Sequence, residues 1–253
     1  MRKAILLTMG RSGSSWVCDL LNSHPEVRCH YEVLKDHEEL TQSEKKNLLH
    51  QKLNNNKANI KYSIAKLLLY QLDEENLKSL ILDSDYEFIL MKRDPLERFI
   101  SLKLAEQTGT WHLDNMLDEE VLSLGIKDIL KGEYNIRDLI NRIIEGIKSY
   151  WSKWTYKPHK IQIDPKELHE AIEYEKKMDL LLIDWLNSKG QKLSLLNYED
   201  LPLDNDEKRD VLICETFKIS KNSLRSSRQK IDWHTKEERV SNLEEIKTYL
   251  ASF

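Results

Sequence analysis

Two short segments of the sequence carry residues suited to binding phosphate groups. The first follows a short apolar stretch and precedes a helical pattern; its residues are Arg11, Ser12, Gly13, Ser14, Ser15 and Trp16. Backbone N–H groups at a helix N-terminus lack intrahelical partners and point toward a bound anion. Gly13 lets the backbone approach a phosphate, the serines add hydroxyl donors and Arg11 adds charge-assisted bonds. The alternative interpretation is an ordinary capped turn.

The second segment pairs Arg93 with Ser101, eight positions later. Arg93 ends a predicted strand, and Ser101 lies two turns into a helix that Pro95 opens. Because ligands bind at the carboxyl ends of parallel strands, we expect Arg93 to reach that crevice and to share one phosphate with Ser101. The alternative is that Arg93 pairs with Asp94 or Glu97 and that Ser101 is a neutral helix residue.

The first segment differs from the loop of nucleotide triphosphatases. That loop has the pattern GxxxxGK[ST], in which a lysine follows the second glycine and reaches the terminal phosphates. Ser14 stands at this position here, and no carboxylate for Mg²⁺ is evident. The sequence therefore favours a phosphate site for a donor that needs no metal.

The elements that must position these residues alternate between short apolar strands and longer helices. Strands are predicted over 3–8, 27–31, 86–91 and 193–197, and helices over 14–22, 95–105 and 165–186, with two or more helices in 117–154. Residues 38–83 are polar and read as helix-rich, and 158–164 reads as a short strand or a connector. This order predicts an α/β fold with a parallel sheet flanked by helices. With no repeat and no Gly/Ser linker, residues 1–253 are expected to form a single domain.

Composition narrows the class of protein further. Hydrophobic residues make up 40% and charged residues 32%, with a net charge of −4. This is typical of a soluble globular protein and gives no global field for nucleic acid. No apolar stretch is long enough to cross a bilayer, and the first one is too short for a signal peptide. Three cysteines without CxxC spacing favour a reducing, cytoplasmic setting. The sequence carries no signal for an oligomeric state.

Taken together, the two segments resemble the family of sulfotransferases that use 3′-phosphoadenosine-5′-phosphosulfate (PAPS), particularly bacterial and carbohydrate-type members. The Arg11 to Trp16 run resembles the 5′-phosphosulfate loop, and Arg93 with Ser101 resembles the 3′-phosphate site. Segments 21–27 and 196–201 also look like that family, and the basic tail with Arg228 and Lys230 is similar to its C-terminal donor-binding loop.

The resemblance implies a P-loop-kinase-like sulfotransferase fold, PAPS as the donor co-substrate, and no metal. It also implies a small-molecule hydroxyl acceptor, such as a carbohydrate or a lipid. Glu32 follows the second predicted strand, where family members place a catalytic glutamate. We expect Glu32 to accept the hydroxyl proton during in-line attack on sulfur, while Arg11 stabilises charge on the leaving group. His30 and His37 are rival bases, and a solvated carboxylate is the alternative for Glu32.

The run from Gln107 to Trp111 resembles that of trehalose-type sulfotransferases. The resemblance implies that Trp111 and His112 border the acceptor pocket. An equally plain interpretation is a helix end, with Gly109 just beyond the last turn and Trp111 packed inside.

Two other functions stay open at this point. One is a nucleotide kinase-like phosphotransferase, which requires a lysine at the first turn and a carboxylate for Mg²⁺. The other is a non-catalytic nucleotide-binding protein of the same fold, which would bind adenosine 3′,5′-bisphosphate without turnover.

Overall fold

The structure, a computed structural model, describes residues 1–55, 58–108, 160–226 and 235–252. Its centre is a five-stranded, all-parallel sheet in the order β2-β3-β1-β4-β5. The strands are β1 (Arg2–Thr8), β2 (Val27–Glu32), β3 (Tyr62–Leu68), β4 (Glu87–Lys92) and β5 (Ser194–Asn197). The predicted α/β fold, a parallel sheet flanked by helices, is confirmed.

Helices connect and cover the strands. They are α1 (Ser14–Asn22), α2 (Gln42–Asn54), α3 (Glu74–Asp83), α4 (Pro95–Thr108), α5 (Pro165–Ser188), α6 (Asp206–Thr216), α7 (Lys236–Arg239) and α8 (Leu243–Leu250), with a 3₁₀ turn at Tyr198–Asp200. The predicted helices near 14–22, 95–105 and 165–186 are confirmed. The helices expected in 117–154 lie outside the described residues. In 158–164, the described part forms one bridge, between Ile161 and Val240.

The interpretation of 38–83 as polar and helix-rich is wrong in its middle. There the chain forms β3, which pairs with both β1 and β2. All seven residues of β3 are buried, although Ser63 and Lys66 interrupt its apolar pattern. Because of these two polar residues, a search of the sequence for apolar runs does not detect this strand.

Both faces of the sheet are covered, as is usual for a parallel sheet. One face packs against α2, α3 and α5 through a cluster that includes Ile5 and Leu7 of β1. The other face packs against α1 and α6 through a cluster that includes Ala4 and Leu6. A smaller cluster joins α4, α5 and α8. In the described ranges, no helix has the length and apolar character needed to span a membrane.

The order of the strands fixes where a ligand can bind. From β1 the chain continues through α1 to the β2 side of the sheet, whereas from β4 it continues to β5 on the opposite side. Adjacent strands whose connections diverge in this way open a crevice at their carboxyl ends. The crevice therefore lies between the ends of β1 and β4, where the two sequence segments emerge.

Candidate functional site

The turn between β1 and α1 forms one side of the crevice. Its backbone is left-handed at Arg11, with φ of 68°, and at Gly13, with φ of 84°. Gly13 occupies the N-cap position, so no side chain caps α1. The Ser12 hydroxyl donates to the carbonyl of Met9 at 2.8 Å, inside the turn. The start of α1 thus keeps backbone donors for an anion, because among the described residues no side-chain oxygen accepts from them.

Tyr198, just after β5, explains why the turn needs a glycine. A Cβ on Gly13 would lie 2.6 Å from two ring carbons of Tyr198. The same ring lies beneath the Arg93 guanidinium, 4.8 Å from its carbon, and meets Trp16 edge-on at 6.2 Å. Trp16 also lies below the guanidinium of Arg209. In its described contacts, Trp16 therefore packs against the side chains of Tyr198 and Arg209.

The two predicted phosphate-binding segments touch each other. Arg93 Nη1 donates to the carbonyl oxygen of Arg11 at 3.1 Å. Arg11 Nε donates to the Ser101 hydroxyl at 3.2 Å. Burial and the neighbouring charge of Arg93 lower the pKa of Arg11. Two cations and a hydroxyl from segments about ninety positions apart in the chain thus share one end of the crevice.

Acidic residues also surround Arg93. Its Nη2 lies 3.7 Å from Glu97, so part of the alternative interpretation of this residue is also present. Glu97 is held more closely by Arg239 of α7, which donates to both carboxylate oxygens at 2.8 and 3.0 Å. Lys236, on the same short helix, lies 3.4 Å from Asp94. Arg93 Nε is buried and has no hydrogen-bond partner among the described residues.

Glu32 meets a residue that the sequence analysis missed. Pairing between β2 and β3 is irregular between His30 and Glu32, and Glu32 is brought beside Lys66. Lys66 Nζ donates to Glu32 Oε1 at 2.7 Å and to the Ser15 hydroxyl at 2.9 Å. The Lys66 side chain is 4% exposed. The sequence gives no signal for this pairing, because Lys66 is a lone lysine in a stretch that reads as helix-rich. In the structure it follows the rule that lysine is almost never fully buried unless it is paired.

The rival bases have different described surroundings. The His30 ring lies 3.5 Å from the Ser63 hydroxyl, and His37 pairs with Glu39 at the exposed surface. Glu32, in contrast, is joined to the turn through Lys66 and Ser15. Of the three candidate bases, Glu32 is therefore the one that the described contacts join to the turn.

Tyr70 is a second residue of this region that the sequence did not indicate. It follows β3, is 57% exposed, and its hydroxyl lies 3.1 Å from where a Cβ on Gly10 would stand. Burial of the hydroxyl and the charge of Glu32 raise its pKa, while Arg98 opposes them. The Tyr70 hydroxyl thus lies beside the backbone at Gly10 and close enough to Glu32 to interact with its charge.

Four predicted site residues lie outside the described residues: Trp111, His112, Arg228 and Lys230. The described residues that flank the basic tail are anchored to α1 on one side and to the segment after β4 on the other. Ser226 donates to Asp19 of α1 at 3.2 Å, and Lys236 lies beside Asp94. In the described ranges, no three His, Cys, Asp or Glu side chains are grouped as metal ligands.

Of the comparisons of this chain with known proteins, the one with solved structures gave a match. No family model matches it, and no curated protein matches it. Among solved structures it is similar to a sulfotransferase from Alicyclobacillus acidocaldarius, with 10% sequence identity over 99% of this chain and 93% of that chain. The TM-score of this match is 0.45.

Proposed function

We propose that the protein transfers the sulfuryl group of PAPS to the hydroxyl of a small-molecule acceptor. The observation that carries the proposal is the contact between the two phosphate-binding segments, through the Arg93–Arg11 and Arg11–Ser101 hydrogen bonds. A nucleotide with phosphates on both the 3′ and the 5′ oxygen of its ribose needs two anion sites that are close together but distinct. The uncapped start of α1 and the Arg93–Ser101 pair are suited to these two roles.

The electrostatics of the crevice support an anionic ligand. Lys66 and Arg11 lie at the start of α1, where the helix dipole already favours negative charge and disfavours cations. Arg93 adds a third charge, and its buried Nε lacks a partner in the described structure. An unsatisfied buried donor costs about 1–3 kcal/mol. A phosphate that draws the side chain out of this position would remove that cost.

In the proposed reaction Glu32 accepts the proton of the acceptor hydroxyl. The acceptor oxygen then forms the new bond to sulfur, and the bond from sulfur to the bridging phosphate oxygen breaks in line. Arg11 and the N–H groups of the turn stabilise the charge that develops on that oxygen. The products are the sulfated acceptor and adenosine 3′,5′-bisphosphate, and Glu32 releases its proton to solvent.

The first test is the thermal stability of the protein with adenosine 3′,5′-bisphosphate. Ligand at ~100 times its dissociation constant adds about 2.7 kcal/mol to the folded state, or roughly 5 to 10 °C in Tm for a chain of this size. We expect this shift for the wild type, almost none for Arg93→Ala and a smaller one for Ser101→Ala. Lys61→Met is the control and should keep the full shift in Tm, because Lys61 precedes β3 and lies at the amino ends of the strands, away from the crevice.

A kinase-like phosphotransferase is the second candidate, because Lys66 brings a lysine to the turn from β3. The same assay with ATP and Mg²⁺ separates the two proposals. Greater stabilisation by ATP–Mg²⁺ than by the bisphosphate would favour the kinase. A non-catalytic binding protein would bind the bisphosphate yet show no transfer from labelled PAPS to any acceptor in a panel of sugars and lipids. In an enzyme, Glu32→Gln abolishes transfer and keeps binding.

A further inference from the structure

We infer that Lys66 is a positioning residue that orients both the donor-binding hydroxyl of Ser15 and the carboxylate of Glu32. The inference rests on the proposed function and extends it to a residue of β3. One ammonium group contacts both side chains, at 2.9 Å and 2.7 Å. It therefore links the turn that would hold the donor to the residue that would take the acceptor proton.

The position of Lys66 in its strand shows why it reaches both. Tyr62 and Ile64 precede it at alternate positions of β3 and belong to the apolar cluster under α1. Side chains two positions apart lie on the same face of a strand. Lys66 therefore continues this row to the place where the first turn of α1 begins. The irregular pairing after His30 brings Glu32 to the other side of the same ammonium group.

Stability alone gives a poor reason for a lysine at this place. The Lys66 side chain is 4% exposed and that of Glu32 26%. Replacing a buried ion pair by apolar residues of similar volume is often neutral or stabilising, because desolvation offsets the attraction. A cation beside the first turn of a helix also opposes the helix dipole. An anion bound at the turn would reverse that electrostatic cost.

The direction of the hydrogen bonds assigns the role. An ammonium group only donates, so Ser15 must accept from Lys66 and its own proton stays available for another acceptor. A donor phosphate at the turn is such an acceptor. Glu32 accepts through Oε1, and among the described residues its Oε2 has no hydrogen-bond partner. Lys66 thus leaves one proton of Ser15 for the donor and one oxygen of Glu32 for the acceptor hydroxyl.

A double-mutant cycle on nucleotide binding tests this role. The dissociation constant of adenosine 3′,5′-bisphosphate is measured by calorimetry for the wild type, Lys66→Met, Ser15→Ala and the double variant. Each single change should weaken binding about tenfold, the size of one charge-assisted hydrogen bond. The double variant should also be about tenfold weaker, since both changes remove the same interaction. Lys61→Met changes the net charge equally and should leave binding unaltered.

Two further variants keep the test decisive if Lys66→Met folds poorly. Lys66→Met combined with Glu32→Leu replaces the ion pair by apolar side chains and should fold, yet bind about tenfold more weakly. Glu32→Gln retains Lys66 and should bind the nucleotide within about threefold of the wild type, while losing transfer.

The outcomes separate the two proposals. Wild-type binding with an unchanged Lys66→Met, or a double variant about a hundredfold weaker, would overturn the role of Lys66 and leave the proposed function intact. A wild type that does not bind the bisphosphate would overturn both.

Discussion

At the scale of single residues, the close approach of Tyr198 to Gly13 has a measurable cost when the glycine is replaced. Gly13→Ala introduces a Cβ both at a positive φ and 2.6 Å from the Tyr198 ring. Gly190 after α5 also has a positive φ, of 70°, but open space around it. We expect Gly190→Ala to lower the free energy of unfolding by about 1 kcal/mol and Gly13→Ala by about 3 kcal/mol.

Urea unfolding with linear extrapolation measures both losses. The Gly13 variant should also bind the bisphosphate more weakly, because Tyr198 supports the Arg93 guanidinium. Equal losses for the two variants would mean that Tyr198 moves aside without cost, which contradicts the prediction.

Some contacts of the candidate site can be predicted from the sequence, and others cannot. The rule that parallel strands end at one edge of a sheet is enough to predict that Arg11 and Arg93 approach each other, and the structure has them in contact. Lys66 escapes this reasoning, since a lone lysine in a stretch read as helix-rich gives no motif. Its significance depends on burial and on two partners from other elements, and no sequence spacing encodes these.

At the scale of elements, β3 shows the limit of apolar patterns. The strands β1 and β4 are continuous apolar runs, and both were predicted nearly to their ends. β3 is equally buried but carries Ser63 and Lys66. A strand that contributes a charged side chain to a site must break the pattern by which strands are found.

A buried ion pair joins α4 to α5 and gives a pH dependence. Arg98 of α4 pairs with Glu175 of α5, and both side chains are buried. Burial raises the pKa of Glu175 above its ordinary value, and Arg98 opposes the shift. The folded state therefore binds the proton more tightly than the unfolded chain does. The contribution of Glu175 to stability is present at low pH and is lost as pH rises through the folded-state value.

Glu175→Gln removes this titration. The free energy of unfolding of the variant, relative to the wild type, should rise as pH increases from about 4.5. Denaturation at a series of pH values measures the difference. A difference that falls over this range would reverse the sign of the expected shift.

For the molecule as a whole, the three cysteines can show whether one hydrophobic core opens, because all three lie in it. Cys18, Cys29 and Cys214 are free, buried and part of the cluster between the sheet, α1 and α6. The thiols of Cys18 and Cys29 lie 3.0 Å apart. Burial raises the pKa of Cys214, and burial together with the contact to Cys18 raises that of Cys29. Since the thiolate is the reactive form, alkylation requires opening of this core.

Labelling with iodoacetamide at pH 8, followed by mass spectrometry, tests this prediction. In the native protein the three cysteines should react slowly and at similar rates, and in denaturant they should all react rapidly. Fast native labelling of Cys214 alone would show that α6 opens independently of the sheet.

The central place of β1 in the sheet has a consequence for how the protein acquires its function during synthesis. Ala4 of β1 pairs with Ile64 of β3 and with Glu87 of β4. The turn after β1 is therefore synthesised long before the segment after β4, which holds Arg93. A growing chain that ends before β4 has the turn after β1 but lacks Arg93 and Ser101, and therefore has only part of the proposed anion site. Such long-range pairing forms late in folding. If the protein binds the proposed nucleotide, the nucleotide would stabilise only chains in which β4 has joined β1.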